Sequence, residues 1–340
     1  RKSWILFSQI LIAFCLFLLS LINPLDSLYL FAFIAFLVAF SGSIQDIAID
    51  AFRIELAGLT QQGNLAASYQ FGYRMAILVS SSFALIFAAD YGWSLTYQLM
   101  SFMMLVGVAG ALMCPEEVNT SLEKLTLQNS ILEPLKDFIS RFGLYFASFL
   151  LMIIATYRLT DIVMGPMASP FYLEKGYSLK EIGYIVKVVA VCASIFGFFL
   201  GGFLVKKAGV KVTLIIGACL VLITNLSFSV IALFEKDLSL LGLVVGADSL
   251  AAGVVGTANI TFLTSLVSKK YTAVQYALLT SFMMLPGKIF SGFSGVIASY
   301  FKSLYGIEYG WMTFFIFTSL LTIPSLILLF YYSKKKNAYG

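Results

Sequence analysis

The sequence predicts an all-α integral membrane protein that crosses the bilayer many times. Three observations carry that expectation. Of 340 residues, 60% are hydrophobic and 11% charged, where a soluble domain carries about 25% charged residues; mean hydropathy is +0.94. The apolar residues fall in runs of roughly 20, the length a helix needs to span hydrocarbon. Short polar breaks separate the runs.

Ten such runs follow in order: Trp4–Ile22, Leu28–Ile49, Ser68–Ala89, Leu95–Met113, Phe142–Val163, Ile182–Val205, Val212–Phe234, Leu240–Val267, Tyr276–Ser299 and Trp311–Tyr332. The breaks include Asn23-Pro24 and residues 58–64, 90–94, 235–239 and 268–272. One connection differs. Residues 114–141 are long, polar and of mixed charge, and they divide the chain into residues 1–113 with four helices and residues 142–333 with six, followed by a tail at 334–340.

Lys and Arg predict orientation, because cytoplasmic loops carry the excess. With ten helices, fourteen of the 22 basic residues fall on the side of the termini, from Arg1, Lys2 and Arg53 to Lys334–Lys336. Four (Lys175, Lys180, Lys236 and Lys302) fall on the other, so both visible termini are expected to be cytoplasmic. The net charge of +5 is thereby read as loop topology and not as nucleic-acid binding. The remaining four, Arg74, Arg158, Lys187 and Lys288, lie inside apolar runs.

The chain has no histidine, which removes His-based acid–base catalysis and most zinc sites. Its four cysteines are scattered, with no metal or disulfide spacing. Residues 253–259, GVVGTAN, are Gly-rich but lie within a span, where glycine serves helix packing and not phosphate binding. No enzyme, cofactor or ATP-driven reading is supported, and an ion gradient is the expected energy source.

The carboxylates inside the runs define candidate sites, since intramembrane ionisable groups are costly and mark pathways. At about 100° per residue, Asp46, Asp50 and Arg53 share one helix stripe, while Glu55 points away. Asp50 and Arg53, at i,i+3, suit an ion pair that locks the helix end. Arg74, in the next helix after Gly72 and Tyr73, is a plausible partner for Asp46 or Asp50. The second half repeats the theme: Tyr157, Arg158 and Asp161 precede Gly165-Pro166 and Ser169-Pro170, which are expected to break the helix. Lys187, Asp248 and Lys288 follow in later helices. Charges of both signs on corresponding helices of two halves point to a polar central cavity, with Asp46, Asp50, Arg53, Arg74 and Asp248 as proton or gating candidates. Arg158, Asp161, Lys187, Lys288, Tyr73 and Tyr157 are substrate candidates, with Tyr184 a further ring for stacking; packing is the competing role for each Tyr. The balance suits an anionic or zwitterionic solute.

Residues 201–211, GGFLVKKAGVK, resemble the signature loop of the major facilitator superfamily, with Gly202, Lys207, Gly209 and Lys211 in place. Lys206 stands where the family usually has Asp. The resemblance implies two six-helix halves, the first lacking its first two helices, with Arg1-Lys2 as the end of its own copy of the loop; a ten-helix protein is the alternative. Further stretches resemble the AmpG-type muropeptide permeases: SIQDIAIDAFRIEL (43–56), Gly72 to Trp93, EPLKDFISRFG (133–143), YRLTD (157–161), SPFYLEKGYSLKEIGYIVK (169–187) and KKYTAVQYALLTS (269–281). That resemblance covers nearly the whole chain. It implies proton-driven import of anhydro-muropeptides, GlcNAc-anhydroMurNAc with or without peptide, across the bacterial inner membrane by a monomer in contact with lipid, with the charges above along its pathway. A transporter of another organic anion, a drug or an acyl-CoA, as in the related acetyl-CoA transporters, and a non-transporting remnant are the alternatives.

Overall fold

The computed structural model describes residues 1–56, 61–114 and 127–334. The central loop at 115–126 and the tail beyond Lys334 lie outside the described residues, as do the side chains of Lys187 and Tyr184. The described chain is helical throughout, with α1 Lys2–Leu21, α2 Leu28–Leu56, α3 Gln62–Ile77, α4 Ala84–Met113, α5 Leu127–Phe142, α6 Leu144–Tyr157, α7 Leu159–Glu174, α8 Leu179–Tyr184, α9 Ala190–Ala208, α10 Val210–Leu233, α11 Leu238–Leu266, α12 Thr272–Gly292, α13 Ser294–Leu320 and α14 Ile323–Lys334. Among the described residues, eight helical stretches are long and apolar enough to cross a membrane. The last, Thr272–Lys334, is 63 residues long, about three times what one crossing requires.

Single glycines turn the chain where the sequence predicts loops. Gly306, inside α13, has φ +81° and ψ 175°, a backbone region that L side chains avoid. Beyond it the helix folds back, so that a Cβ at Gly310 would stand 2.5 Å from Lys302 Cα. Gly209 joins α9 to α10 in the same way, and the loop that resembles the superfamily signature is a one-residue turn between helices. Two π-helical turns, Leu78–Phe83 between α3 and α4 and Ile185–Val189 between α8 and α9, carry no sequence signal.

The prolines of α7 behave differently from expectation. Pro166 and Pro170 lie inside the helix, and the break falls earlier, at Arg158 (φ −102°, ψ 4°). A proline removes one backbone hydrogen bond and crowds the carbonyl four residues back, and membrane helices absorb both where neighbours compensate.

Two compact units emerge. The first comprises Arg1–Ala57, Gly72–Pro134 and Ser268–Ala277. Within it α1 packs on α2 and α4. Ser94 Oγ donates to the Ser20 carbonyl at 2.6 Å and Ser101 Oγ to the Ala13 carbonyl at 2.7 Å, tying α4 along α1. The second comprises Gly58–Phe71, Leu135–Val267 and Leu278–Gly340. Here α9 and α11 meet backbone to backbone: a Cβ at Gly197 would lie 2.2 Å from the Leu250 carbonyl oxygen, and one at Gly253 2.5 Å from that of Ser194. Small residues give membrane helices their contact area, because lipid supplies no hydrophobic drive between them. Phe171, Phe228, Trp311 and Phe315 fill the space between α7, α10 and α13. At one end, Ser178 and Glu181 form a capping box, and Lys236 donates to Glu181 at 2.9 Å.

Candidate functional site

Two clusters of charge lie within these helices. In the first unit, the stripe on α2 ends in a buried guanidinium. Arg53 is 5% exposed and pairs with Asp50 at 3.5 Å. Its guanidinium also sits over the Tyr276 ring, 5.4 Å from the centroid. Two residues on, Glu55 faces the other way, as its angle on the helix requires, and pairs with Arg1 at 3.1 Å. It also accepts a hydrogen bond from Thr272. Gln275 joins the same end, donating to the Pro134 carbonyl at 2.8 Å and accepting from Ser268 N at 2.7 Å. The start of α12 is thus gripped by the end of α2. Asp46, nearly three turns before the end of α2, is exposed and has no ion-pair partner among the described residues. Arg74 is half-buried on α3, and Tyr73 beside it is exposed.

In the second unit, Arg158 occupies the break between α6 and α7 and pairs with Asp161 at 3.5 Å. Tyr157 is buried, donates its hydroxyl to the Leu214 carbonyl at 3.3 Å, and lies against Gly217. In this conformation it packs α6 on α10. On α11, Asp248 accepts a hydrogen bond from Thr224 Oγ1 of α10 at 3.0 Å. Asp161 and Tyr172, both on α7, lie within electrostatic reach of Asp248. Gly287 brings α12 against Ile162, beside Asp161. Lys288, next in sequence, is exposed and without an ion-pair partner among the described residues. Lys187 belongs by backbone to the π-helical turn before α9.

Around the signature-like loop, Gly202 allows close approach to Gly63 and Ala67 of α3. Lys207 lies over Phe203 and Lys211 over Tyr332, the latter 4.6 Å from the ring centroid. Lys206 is exposed.

The sequence reading paired the right neighbours along each helix and missed those on other helices. Tyr276 and Thr224 are uncharged residues of apolar runs, and Tyr172 is an uncharged residue between two of them. Only the hydroxyl of Thr224, one residue before Asn225 in an otherwise aliphatic stretch, offered a signal.

The fold and these intramembrane ion pairs define a membrane transporter. The model of the Major Facilitator Superfamily matches residues 1–291, and the chain belongs to that superfamily. It is not an enzyme. Among curated relatives, it is 31% identical over 335 residues to a Rickettsia bellii protein named as a transporter, AmpG 1, covering 97% of this chain and 80% of that one. It is 29% identical over 331 residues to the anhydromuropeptide permease of Escherichia coli (strain K12), covering 97% of this chain and 65% of that one. The chain therefore spans just under two thirds of the E. coli protein's length. In fold it resembles the E. coli fucose:proton symporter FucP, with a TM-score of 0.70 at 13% identity over 98% of this chain and 84% of that one. The human organic anion transporter MFSD10 gives a TM-score of 0.70 at 15% identity, over 97% and 77%. These two likenesses carry the fold alone.

Proposed function

We propose that the protein imports anhydro-muropeptides, GlcNAc-anhydroMurNAc with or without its peptide, across the bacterial inner membrane together with protons. The observation that carries this reading is the Arg158–Asp161 pair beside Asp248, a charged group held among apolar helices. The likeness to the E. coli permease over 97% of the chain supports the choice of solute. A lactyl or peptide carboxylate on such a solute calls for a cation, and Arg158, Lys187 and Lys288 are the candidates; Asp161 balances Arg158 when no solute is bound. Tyr73 offers an exposed ring for a sugar. Asp46, Asp50, Arg53 and Arg74 are assigned to gating, with Arg53 over Tyr276 as the latch. In this reading the chain acts as a monomer, both visible termini face the cytoplasm, and residues 1–113 and 142–333 form the two halves.

The test is uptake of labelled GlcNAc-anhydroMurNAc by permease-deficient cells expressing the protein, with and without a protonophore. Accumulation that collapses with the protonophore is the expected result. Accumulation indifferent to it removes the proton, and no accumulation removes the solute.

A further inference from the structure

We propose that Asp248 is the carboxylate that carries the proton, and that Thr224 is the positioning residue whose hydroxyl follows its protonation. The inference rests on the proton-coupled reading above and commits it to one group.

The argument begins with what each carboxylate would leave behind on taking a proton. Neutral Asp50 would break the ion pair with Arg53, which is buried at 5% exposure, and neutral Asp161 would break the one with Arg158. Breaking a buried pair from one side is the expensive move. Neutral Asp248 breaks no ion pair among the described residues, and its hydrogen-bond partner there is a neutral hydroxyl. Asp46 also lacks a partner, but it is exposed and has no built surroundings.

The surroundings of Asp248 are built. Thr224 is 5% exposed, and its oxygen lies 3.0 Å from Asp248 Oδ1 and 3.2 Å from the carbonyl of Val221. A hydroxyl has one hydrogen. While Asp248 is ionised, that hydrogen goes to the carboxylate, the stronger acceptor. When Asp248 takes a proton from water, its own O–H can donate to Thr224 Oγ1, and the Thr224 hydrogen turns to the Val221 carbonyl. No atom needs to move beyond a hydroxyl rotation, and the proton returns to water by the reverse path. Asn225 Nδ2 holds the same carbonyl at 3.1 Å and so keeps the alternative acceptor in place.

Among the described residues, the other groups near Asp248 come from α7 and α10. From α7 come Asp161, with Arg158 behind it, and Tyr172. From α10 comes Thr224. The π-helical turn packed on α11 carries Lys187, and α9 carries Cys192 and no charged residue before Lys206 at its far end.

The test uses dicyclohexylcarbodiimide, which reacts with protonated carboxyls in apolar surroundings. Labelling at Asp248 is read by peptide mass spectrometry between about pH 5 and pH 9 on the purified protein in lipid vesicles. Thr224→Val keeps the shape and removes the hydroxyl. Losing a hydrogen bond to the charged form extends Asp248 labelling to higher pH by about one unit. Thr224→Ser returns most of that shift, and the pH profile of disaccharide uptake moves in the same direction. Equal labelling of the wild type and Thr224→Val at every pH overturns the role of Thr224. Labelling that falls on Asp46 or Asp161, or absence of label at Asp248 throughout, overturns the assignment of the proton. A labelling shift without disaccharide uptake by the wild type leaves the Asp248–Thr224 pair standing and removes the proposed solute instead.

Discussion

Arg53 shows how a charge is kept inside an apolar helix bundle. It has an acidic neighbour one turn back and an aromatic face from a helix far along the chain. The two contacts predict different losses. Asp50→Ala leaves the guanidinium buried without its carboxylate, at about 3–5 kcal/mol, and is expected to lower the amount of inserted protein. Tyr276→Leu removes only the cation–π contact, worth about 1–2 kcal/mol in a desolvated setting, and is expected to leave abundance near normal while weakening the latch on α12. Fluorescence-detected size exclusion measures the first and uptake rate the second. Asp46→Asn, at an exposed position without an ion-pair partner among the described residues, should leave both insertion and the pH range of Asp248 labelling unchanged. The i,i+3 pairs Asp50–Arg53 and Arg158–Asp161 were legible in the sequence because spacing along one helix fixes proximity. Tyr276 and Thr224 were not, because a neutral side chain in an apolar run carries no sign of which helix it will meet.

At the scale of elements, close approach of backbones decides stability. Gly197 and Gly253 lie where α9 and α11 cross, and neither has room for a methyl group. Gly197→Ala is expected to destabilise by more than the 1–3 kcal/mol typical of overpacking, since backbone and not a flexible side chain is in the way. Gly242→Ala, with open space around it, is the control and should keep the wild-type melting temperature. The clasp outside the membrane has a pH dependence. The Lys236 ammonium, together with the Ser178 N–H and hydroxyl of the capping box, holds the Glu181 carboxyl down from 4.5 to about 2. A depressed carboxyl stabilises above its unfolded value, and that stability is lost as pH falls from about 4.5 through about 2. Hydrogen-exchange protection at the Ser178–Glu181 turn, taken relative to the intrinsic rate at each pH, should therefore fall across that window in the wild type, and be low and flat in Glu181→Ala. The helices themselves were legible as apolar runs. Their joints were less so: Gly92 and Gly306 replace expected loops, and Arg158 replaces the prolines as the break. A turn that needs only one residue with positive φ leaves almost no polar signature.

At the scale of the molecule, composition alone carried the class, because a chain this poor in charge cannot be solvated except by lipid. The superfamily was legible from residues 201–211, where Gly202 and Gly209 serve the close packing and the one-residue turn observed. What composition cannot carry is the solute, since a pathway of balanced charges accepts more than one anion. The most direct measurement is therefore solute-driven proton movement. The purified protein is reconstituted in vesicles loaded with a pH-sensitive dye, and GlcNAc-anhydroMurNAc is added outside without any imposed gradient. The account predicts acidification of the lumen that saturates with solute and is absent in Asp248→Asn. Solute entry without acidification, or acidification that Asp248→Asn leaves unchanged, would contradict it.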